Sequence, residues 1–175
     1  MRQAGKIRPF AGDGKGKTAS AIGPAWRAVS RGSKVLIVQF LKSGDMSGEL
    51  FAALALSPGL TIKPMGRKGL IGKRGGSPRD AEMAEQALLE ALSAMLCRTY
   101  DLVILDEINM AVYYGLIDVQ QVVKLMMSKP EEVGLVLTGR HAHSEVIRHA
   151  NHVVDMKKIR QYFDRGLKAR KGIEY

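Results

Sequence analysis

Short apolar runs alternate with longer amphipathic runs along the chain. VLIVQF (Val35–Phe40) and LVILD (Leu102–Asp106) are rich in β-branched residues and almost uninterrupted by polar ones, which is typical of strands buried on both faces of a sheet. The pattern predicts six strands: Ile7–Ala11, Val35–Phe40, Leu60–Pro64, Leu102–Asp106, Leu135–Thr138 and His152–Asp155. Because helical runs separate them, we expect an α/β fold with βαβ units and a mainly parallel sheet.

Four helices are predicted between these strands. The first, Thr18–Arg31, places four apolar residues on one helical face at spacings of three and four: Ala19, Ile22, Trp26 and Val29. Gly32 follows and can end this helix. The other three are Arg79–Arg98, which is rich in strong helix formers, Val119–Met127 and Ser144–Ala150.

Two prolines conflict with the pattern. Pro24 lies inside the first helix, where it removes a hydrogen bond and costs about 3 kcal/mol or kinks the helix. Pro9 lies in the first strand, which should be central in such a fold and should not contain proline. Both prolines flank the loop that carries the most distinctive motif.

Composition indicates a single domain spanning residues 1–175. Hydrophobic residues make up 46% of the 175 positions, which suits one sizeable core. No apolar run reaches the ~18 residues needed to cross a bilayer, and MRQAGKIRPF at the N-terminus lacks the apolar stretch of a signal peptide. One cysteine, Cys97, cannot form an internal disulfide and fits a reducing compartment. We therefore expect a cytoplasmic protein with no membrane partner.

The net charge of +10 is concentrated in two segments. Residues 63–79 carry +6 and residues 157–175 carry +5, which leaves the rest of the chain close to neutral. This distribution favours local anion-binding sites over a generally basic surface.

GDGKGKT (Gly12–Thr18) lies between the first predicted strand and the first predicted helix, as a phosphate-binding loop does. The usual pattern, G-x-x-x-x-G-K-[ST], has glycine where this chain has Ala11. Three glycines allow the backbone N–H groups to turn toward one point, and the helix start adds partial positive charge there. Lys17 can bridge phosphate oxygens and Thr18 can offer its hydroxyl to Mg²⁺. The sequence therefore predicts a nucleotide site with a variant loop.

Three further charged residues follow predicted strands. Asp106 and Glu107 end the apolar run of LVILDEIN, where a strand can hold a carboxylate for Mg²⁺ at the ligand-facing edge of the sheet. Arg140 follows the strand of LVLTGR and can form two parallel hydrogen bonds with a phosphate.

None of the histidines, and not Cys97, is expected to be a catalytic group. HAHSE (His141–Glu145) has a His-x-His spacing, but no third ligand is nearby, so we expect structural or solvated roles for all four histidines. Cys97 is expected to be a small buried hydrophobe late in its helix. No Ser–His–Asp or Cys–His pattern for nucleophilic catalysis stands out.

An ordered set of segments resembles the ATP:cob(I)alamin adenosyltransferases of bacterial corrinoid salvage and cobalamin synthesis. The segments are GDGKGKT, VLIVQFLKSG followed by Gly48-Glu49, YDLVILDEIN, YGLIDV, LVLTGR and FDRGLKARKGIEY. They extend from about Lys6 to Tyr175, and the family's phosphate loop is similar in lacking the first glycine. The resemblance implies a three-layer α/β/α fold of the P-loop NTPase type.

The resemblance also implies a reaction and the residues that serve it. Co(I) of a reduced corrinoid attacks the 5′ carbon of ATP, takes the 5′-deoxyadenosyl group and releases triphosphate. Lys17 and Arg140 would stabilise the leaving triphosphate, while Thr18, Glu107 and Asp106 would hold Mg²⁺. The ATP contacts would come from Gly12, Asp13, Gly14, Lys15, Gly16, Lys17, Thr18 and Ala19.

For the corrinoid, the matching segment is MGRKGLIGK (Met65–Lys73). In the family, bulky residues in this stretch close against the lower face of the corrin ring and leave a four-coordinate Co(II). The best-known members carry two aromatic residues there, and this chain has Leu70 and Gly72 in those places with Ile71 between them. Leu70 and Ile71 are therefore the expected corrinoid contacts.

The expected partners are ATP and a reduced corrinoid, with a flavoprotein-type reductant as a candidate and with no nucleic acid. The resemblance implies a homodimer. Some relatives cover the active site with an N-terminal segment; because the first predicted strand begins at Ile7, we expect a partner subunit or the C-terminal tail to provide that cover.

Two alternatives stay open. A phosphate-loop ATPase acting on nucleic acid would share both nucleotide motifs and the basic charge, although the basic segments lack interleaved aromatic residues apart from Tyr162 and Phe163. A relative that binds ATP or corrinoid without turnover would explain Leu70, Gly72 and the two prolines. Salt-sensitive nucleic-acid binding would identify the first alternative.

Overall fold

A parallel six-stranded sheet with helices on both faces forms the body of the protein. The computed structural model describes residues 5–44, 55, 58–67 and 76–160. The strands are β1 (Ile7–Ala11), β2 (Val35–Phe40), β3 (Leu60–Met65), β4 (Leu102–Asp106), β5 (Gly134–Thr138) and β6 (Val154–Asp155). The helices are α1 (Lys17–Val29), α2 (Pro78–Leu96), α3 (Ile108–Tyr113), α4 (Val119–Met127) and α5 (Ser144–Arg148).

All paired strands are parallel, in the order β3-β2-β4-β5-β1-β6. The carboxyl ends of the strands therefore meet at one edge, which we call the carboxyl edge. The loop after β1 lies at this edge, as do the residues that follow β2, β4 and β5. The predicted α/β class and parallel sheet are confirmed.

The core has two halves, one on each face of the sheet. On one face, alternating residues of the strands pack against Ala21 and Ala25 of α1, and this half includes Val35, Ile37, Ile104 and Val136. On the other face, the intervening residues pack against α2, α3, α4 and α5, and this half includes Leu36, Val38, Leu105, Leu135 and Leu137. The three-layer α/β/α arrangement is therefore confirmed.

Each predicted strand and helix lies within two residues of its observed bounds, and two differences have a structural reason. The strand predicted for His152–Asp155 begins only at Val154, because the N–H groups of Asn151 and His152 both donate to the Ile7 carbonyl as the chain enters the sheet. The short helix α3 was not predicted. It follows the LVILDE segment directly, and its six residues are too few for a helical period to be visible.

The predicted apolar face of α1 is also wrong in part. Trp26 is 51% exposed and Ala19 is exposed, while Ala21 and Ala25 are the buried apolar residues of the helix. Small side chains face the sheet, so the buried stripe is displaced from the one that the larger apolar residues suggest. Cys97 likewise is exposed rather than buried, because it caps the C-terminus of α2.

Both prolines are accommodated. Pro24 lies inside α1, which continues from Lys17 to Val29. Pro9 lies one residue before the β1–β6 ladder, which joins only Phe10 to Val154 and Ala11 to Asp155. Alternate residues of a strand point their polar groups to the same side, and Ile7 bonds to Asn151 on the β6 side. The missing N–H of Pro9 therefore faces the side where β6 has not yet begun.

No helix in the described ranges is both long enough and apolar enough to cross a membrane.

Candidate functional site

The loop after β1 turns sharply at two glycines. Gly12 has φ 91° and Gly16 has φ 103°, a region that favours glycine, and α1 begins directly after Gly16. A Cβ on Gly12 would lie 2.3 Å from Asp155 Oδ1. Ala11, in contrast, is the last residue of β1 and has no positive φ. The glycine missing from the usual motif is therefore not needed at this point of the backbone.

Lys17 lies inside this loop and is only 7% exposed. Its Nζ donates to the Gly12 carbonyl at 2.8 Å and to the Gly14 carbonyl at 2.6 Å. Burial lowers the pKa of this ammonium; the negative charge of Glu107 opposes that shift and the positive charge of Arg140 adds to it. The Lys17 ammonium is thus held inside the loop by two carbonyl acceptors. The oxygens of a bound phosphate chain could take the place of these carbonyls as acceptors.

Asp106, at the end of β4, joins four elements of the carboxyl edge and is fully buried. Its Oδ1 accepts hydrogen bonds from Thr18 Oγ1 at 2.9 Å and Thr138 Oγ1 at 2.7 Å. Its Oδ2 accepts from Lys42 Nζ at 2.8 Å and from Gln39 Nε2 at 3.3 Å. The carboxylate therefore links the phosphate loop to the ends of β2, β4 and β5.

Glu107 follows in a left-handed conformation, with φ 66°, and precedes α3. Its backbone N–H donates to Thr138 Oγ1 at 2.9 Å, which fixes the turn. Burial raises the pKa of the Glu107 carboxyl and the charge of Asp106 raises it further, while Lys42, Lys17 and Arg140 oppose the shift. Two carboxylates and three cationic side chains thus influence one another at this edge.

Arg140 lies on an exposed turn whose backbone is tightly packed. Gly139 has φ 129°, and a Cβ there would lie 2.9 Å from the Cβ of Asn109. The buried Asn109 side chain donates from Nδ2 to the Gly139 carbonyl at 3.2 Å. On the far side of Arg140, the His141 ring stacks on Tyr113 with centroids 4.2 Å apart. The residues before and after Arg140 are therefore both held by contacts with the segment 109–113.

The oxygen donors at Asp106, Glu107 and Thr18 are of the type that Mg²⁺ prefers. No group of three or more His, Cys, Asp or Glu side chains forms a candidate metal site in the part of the chain that the structure describes. A Mg²⁺ ion here would need phosphate oxygens and water to complete its coordination, as Mg²⁺ sites in phosphate-binding enzymes commonly do. The residues present fit an ion that enters together with a nucleotide.

The structure places most of the predicted site residues in one region. Lys17, Thr18, Asp106 and Glu107 are linked by contacts or by charge, and Arg140 influences the pKa of both Lys17 and Glu107. Asp13 and Lys15 are exposed on the loop and Ala19 is exposed in the first turn of α1. Leu70 and Ile71 lie outside the described residues.

Sequence reasoning missed four residues of the site: Gln39, Lys42, Asn109 and Thr138. All four lie within or directly beside segments that were singled out as motifs. A polar residue in an otherwise apolar strand could have drawn attention to Gln39 in VLIVQF, although the sequence does not show which group it contacts.

Three of the four histidine side chains contact other groups of the fold: those of His141, His143 and His149. His143 caps α5, where its Nδ1 accepts from the Glu145 N–H at 3.2 Å. His149 Nδ1 lies 2.8 Å from the Glu145 carbonyl oxygen, and His141 stacks on Tyr113. His152 is exposed.

Part of the basic segment 63–79 is paired with α2. Arg67 donates to both carboxylate oxygens of Asp80, at 2.5 and 2.7 Å, and Lys63 pairs with Glu90. The Arg67 hydrogen bonds hold the pKa of Asp80 well below its usual range. Asp80 also completes a capping box with Ser77 at the start of α2. These two basic residues therefore have a structural partner, which the charge pattern alone did not predict.

Comparison with known proteins identifies the class to which this site belongs. The family model described as ATP:corrinoid adenosyltransferase BtuR/CobO/CobP matches residues 3–175. The chain belongs to this family, as the resemblance predicted.

Individual relatives agree with the family match. The chain is 31% identical to the corrinoid adenosyltransferase of Escherichia coli K12 over 99% of its length and 87% of the relative's. It is 32% identical to that of Pseudomonas aeruginosa, over 99% and 85% of the two lengths. It is 30% identical to corrinoid adenosyltransferase CobA of Salmonella typhimurium, over 100% and 88%. The nucleic-acid ATPase alternative is not favoured by these matches.

A solved structure supports the fold independently. The KaiC-like protein PH0186 from Pyrococcus horikoshii superposes with a TM-score of 0.60 over 90% of this chain and 75% of that one. At 13% identity, this likeness concerns the fold alone.

Proposed function

We propose that this chain transfers the 5′-deoxyadenosyl group of ATP to the cobalt of a reduced corrinoid and releases triphosphate, with the carboxyl edge as its ATP site. One observation carries the assignment of the site. The Thr18 hydroxyl bonds to Asp106 at 2.9 Å and so ties the phosphate loop to the β4 carboxylate. Membership of the adenosyltransferase family supports the choice of reaction.

The proposed step makes one bond and breaks one. Two electrons on Co(I) form the bond between cobalt and C5′, and the C5′–O bond breaks with its electron pair leaving on triphosphate. No protein nucleophile and no proton transfer are needed. The protein's task is therefore to orient ATP and to stabilise a highly charged leaving group.

Lys17 and Arg140 are proposed to stabilise that leaving group. Lys17 is held by two carbonyls that phosphate oxygens could replace, and Arg140 is close enough to influence the pKa of Lys17. The ATP contacts are proposed to include the predicted loop residues, namely Gly12, Asp13, Gly14, Lys15, Gly16, Thr18 and Ala19.

Thr18, Asp106 and Glu107 are proposed to hold Mg²⁺ bound to the triphosphate of ATP. When bound, Mg²⁺ would neutralise negative charge on the phosphates. Asp106 ends β4 and Glu107 follows it directly, and the hydrogen bonds of the Asp106 carboxylate set its orientation before a nucleotide arrives.

The corrinoid contacts at Leu70 and Ile71, a homodimeric assembly, a flavoprotein-type reductant and a cytoplasmic location complete the proposal. These rest on the family resemblance and on the composition of the sequence.

An anaerobic assay with ATP, Mg²⁺ and chemically reduced cob(I)alamin tests the proposed reaction. We expect the spectrum of adenosylcobalamin to appear with the unmodified protein and to be absent without ATP. The Lys17→Ala variant should lose this activity. Unchanged transfer by Lys17→Ala would show that the site is wrong, and no transfer by a protein that still binds ATP would favour the non-catalytic alternative.

A further inference from the structure

The segment that follows β2 is built to direct one lysine toward Asp106. Leu41 has φ 62°, an unusual conformation for a bulky residue, and Lys42 comes next. The Lys42 carbonyl accepts a hydrogen bond from the Gly66 N–H at 2.8 Å. A Cβ on Gly66 would lie 2.5 Å from the Leu41 carbonyl carbon and from the Lys42 nitrogen. The ends of β2 and β3 are thus in close backbone contact, which fixes the start of the Lys42 side chain.

The Lys42 ammonium takes a specific place on the carboxylate. Thr18 and Thr138 occupy Oδ1 of Asp106, whereas Lys42 Nζ lies 2.8 Å from Oδ2. The Asp106 side chain is 1% exposed and that of Lys42 is 33% exposed. Oδ2 also accepts a hydrogen bond from the neutral amide of Gln39, at 3.3 Å. A positive charge therefore reaches a buried carboxylate from the solvent side.

We infer that Lys42 is a built-in counterion of the metal site: its ammonium neutralises Asp106 in the nucleotide-free protein, competes with a free divalent cation, and yields to the cation when it arrives with ATP. This inference rests on the proposed function, because it assumes that Asp106 and Glu107 form the metal site. Lys42 lies outside both nucleotide motifs, and the inference gives it a role in setting the charge of the metal site.

The consequence is a coupling between metal and nucleotide. A divalent cation alone must displace an ammonium from Asp106 and then remain close to that positive charge, which is unfavourable at a partly buried site. ATP brings phosphate oxygens that can accept the displaced ammonium and also bind the cation. The divalent cation and ATP are therefore expected to bind more tightly together than separately. Removal of the Lys42 charge should make binding of the cation less dependent on ATP.

Binding of Mn²⁺, followed by electron paramagnetic resonance, measures this directly without any turnover. We expect Lys42→Met to bind Mn²⁺ in the absence of nucleotide about tenfold more tightly than the unmodified protein does, since one competing charge is gone. Lys42→Arg keeps the charge and should stay within about twofold of the unmodified protein. Lys124→Met, on the exposed face of α4, makes the same change in net charge away from the site and should also stay within about twofold.

Other results overturn the inference. Mn²⁺ binding by Lys42→Met that equals or is weaker than that of the unmodified protein would show that Lys42 is only a structural ion pair. If Lys42→Met does not fold, as judged by circular dichroism, Lys42→Gln removes the same charge and is judged by the same criterion.

A second variant separates this inference from the proposed function. Asp106→Asn should lose most of the Mn²⁺ binding that ATP supports. If it does and Lys42→Met has no effect, the metal site stands and the inference about Lys42 is wrong. If Asp106→Asn binds Mn²⁺ and ATP normally, the metal site of the proposed function is itself wrong, and the inference about Lys42 fails with it.

Discussion

Lys17 and Lys129 lie at opposite edges of the sheet and have similar immediate surroundings. Lys17 donates to the carbonyls of Gly12 and Gly14, and Lys129 donates to those of Gly5, Pro130 and Val133, each at 2.9 Å. Burial is the main cause that lowers the pKa of both ammonium groups. Hydrogen bonds to backbone carbonyls and burial therefore do not distinguish a candidate catalytic lysine from a structural one.

The difference lies in the other charges. Lys129 is influenced by Glu131 and Glu132, which lie beside it in sequence and are exposed. Lys17 is influenced by Glu107 and Arg140, which follow β4 and β5, and to a smaller extent by Asp13 of its own loop. Four non-glycine residues in the described ranges have positive φ, and the carboxyl edge contains three of them: Leu41, Glu107 and His141. Convergence of charge and backbone strain from separate elements is what marks the site.

The first prediction contrasts the two lysines. Lys17→Met should reduce adenosyl transfer by about 10²- to 10³-fold, because a donor to the leaving group is lost. Lys129→Met should leave the transfer rate of folded protein unchanged and destabilise it by about 1–3 kcal/mol, because buried carbonyls lose a charged donor. Anaerobic transfer assays and urea unfolding of both variants provide the measurement. The reverse pattern would contradict the comparison.

The second prediction compares two glycines with positive φ. Gly139→Ala should lower the transfer rate about tenfold, because its Cβ would displace Asn109 or the turn that carries Arg140. Gly32→Ala is the matched control, since Gly32 has φ 80° and no atom within 4 Å of an added Cβ. It should cost about 1 kcal/mol in stability from backbone strain and leave activity intact. Equal loss of activity in both variants would show that the close packing at Gly139 does not matter.

The third prediction concerns the pH dependence of stability at the carboxyl edge. The folded protein raises the pKa of Glu107, so it binds that proton more tightly than the unfolded chain does. Stability is therefore lost as pH rises from the unfolded pKa of about 4.3 through the raised folded value, and the loss persists above it. Glu107→Gln removes this loss and should raise the melting temperature by about 2 °C at pH 7, with a smaller gain near pH 4.

Thermal unfolding at the two pH values, in the absence of divalent cations, tests this prediction. A gain of the same size at both values would mean that ionisation of Glu107 is not the cause.

The smallest effect is expected away from both lysines. Asp118 begins α4, where its side chain accepts from the Gln120 N–H at 2.8 Å and the Gln121 side chain completes a capping box. Asp118→Ala should destabilise the protein by about 1 kcal/mol and leave transfer by folded protein unchanged. A clear loss of transfer activity at a temperature where the variant is folded would show that α4 takes part in the site.

The parts of the fold that depend on local sequence could be predicted. Strands such as Val35–Phe40 and Leu102–Asp106 are apolar enough to be recognised singly, and the loop ending at Thr18 has a motif of its own. Trp26 could not be placed correctly, because the face that packs on the sheet is set by the small residues Ala21 and Ala25.

The candidate site could be predicted only where its residues belong to a motif. Asp106 was found because it ends a strand. Lys42, Thr138 and Gln39 were not found, because their contacts with Asp106 depend on the register and order of β2, β4 and β5. Their positions in sequence contain no sign of that arrangement, which the parallel sheet alone creates.

The loop after β1 is proposed to bind triphosphate as a leaving group, not to transfer a phosphoryl group. Measurement of the phosphate products in the anaerobic reaction of ATP with cob(I)alamin tests this proposal. We expect one triphosphate for each adenosylcobalamin formed, and none without the corrinoid. Formation of ADP and phosphate at a rate independent of corrinoid would contradict it, since the chain would then be acting as an ATPase.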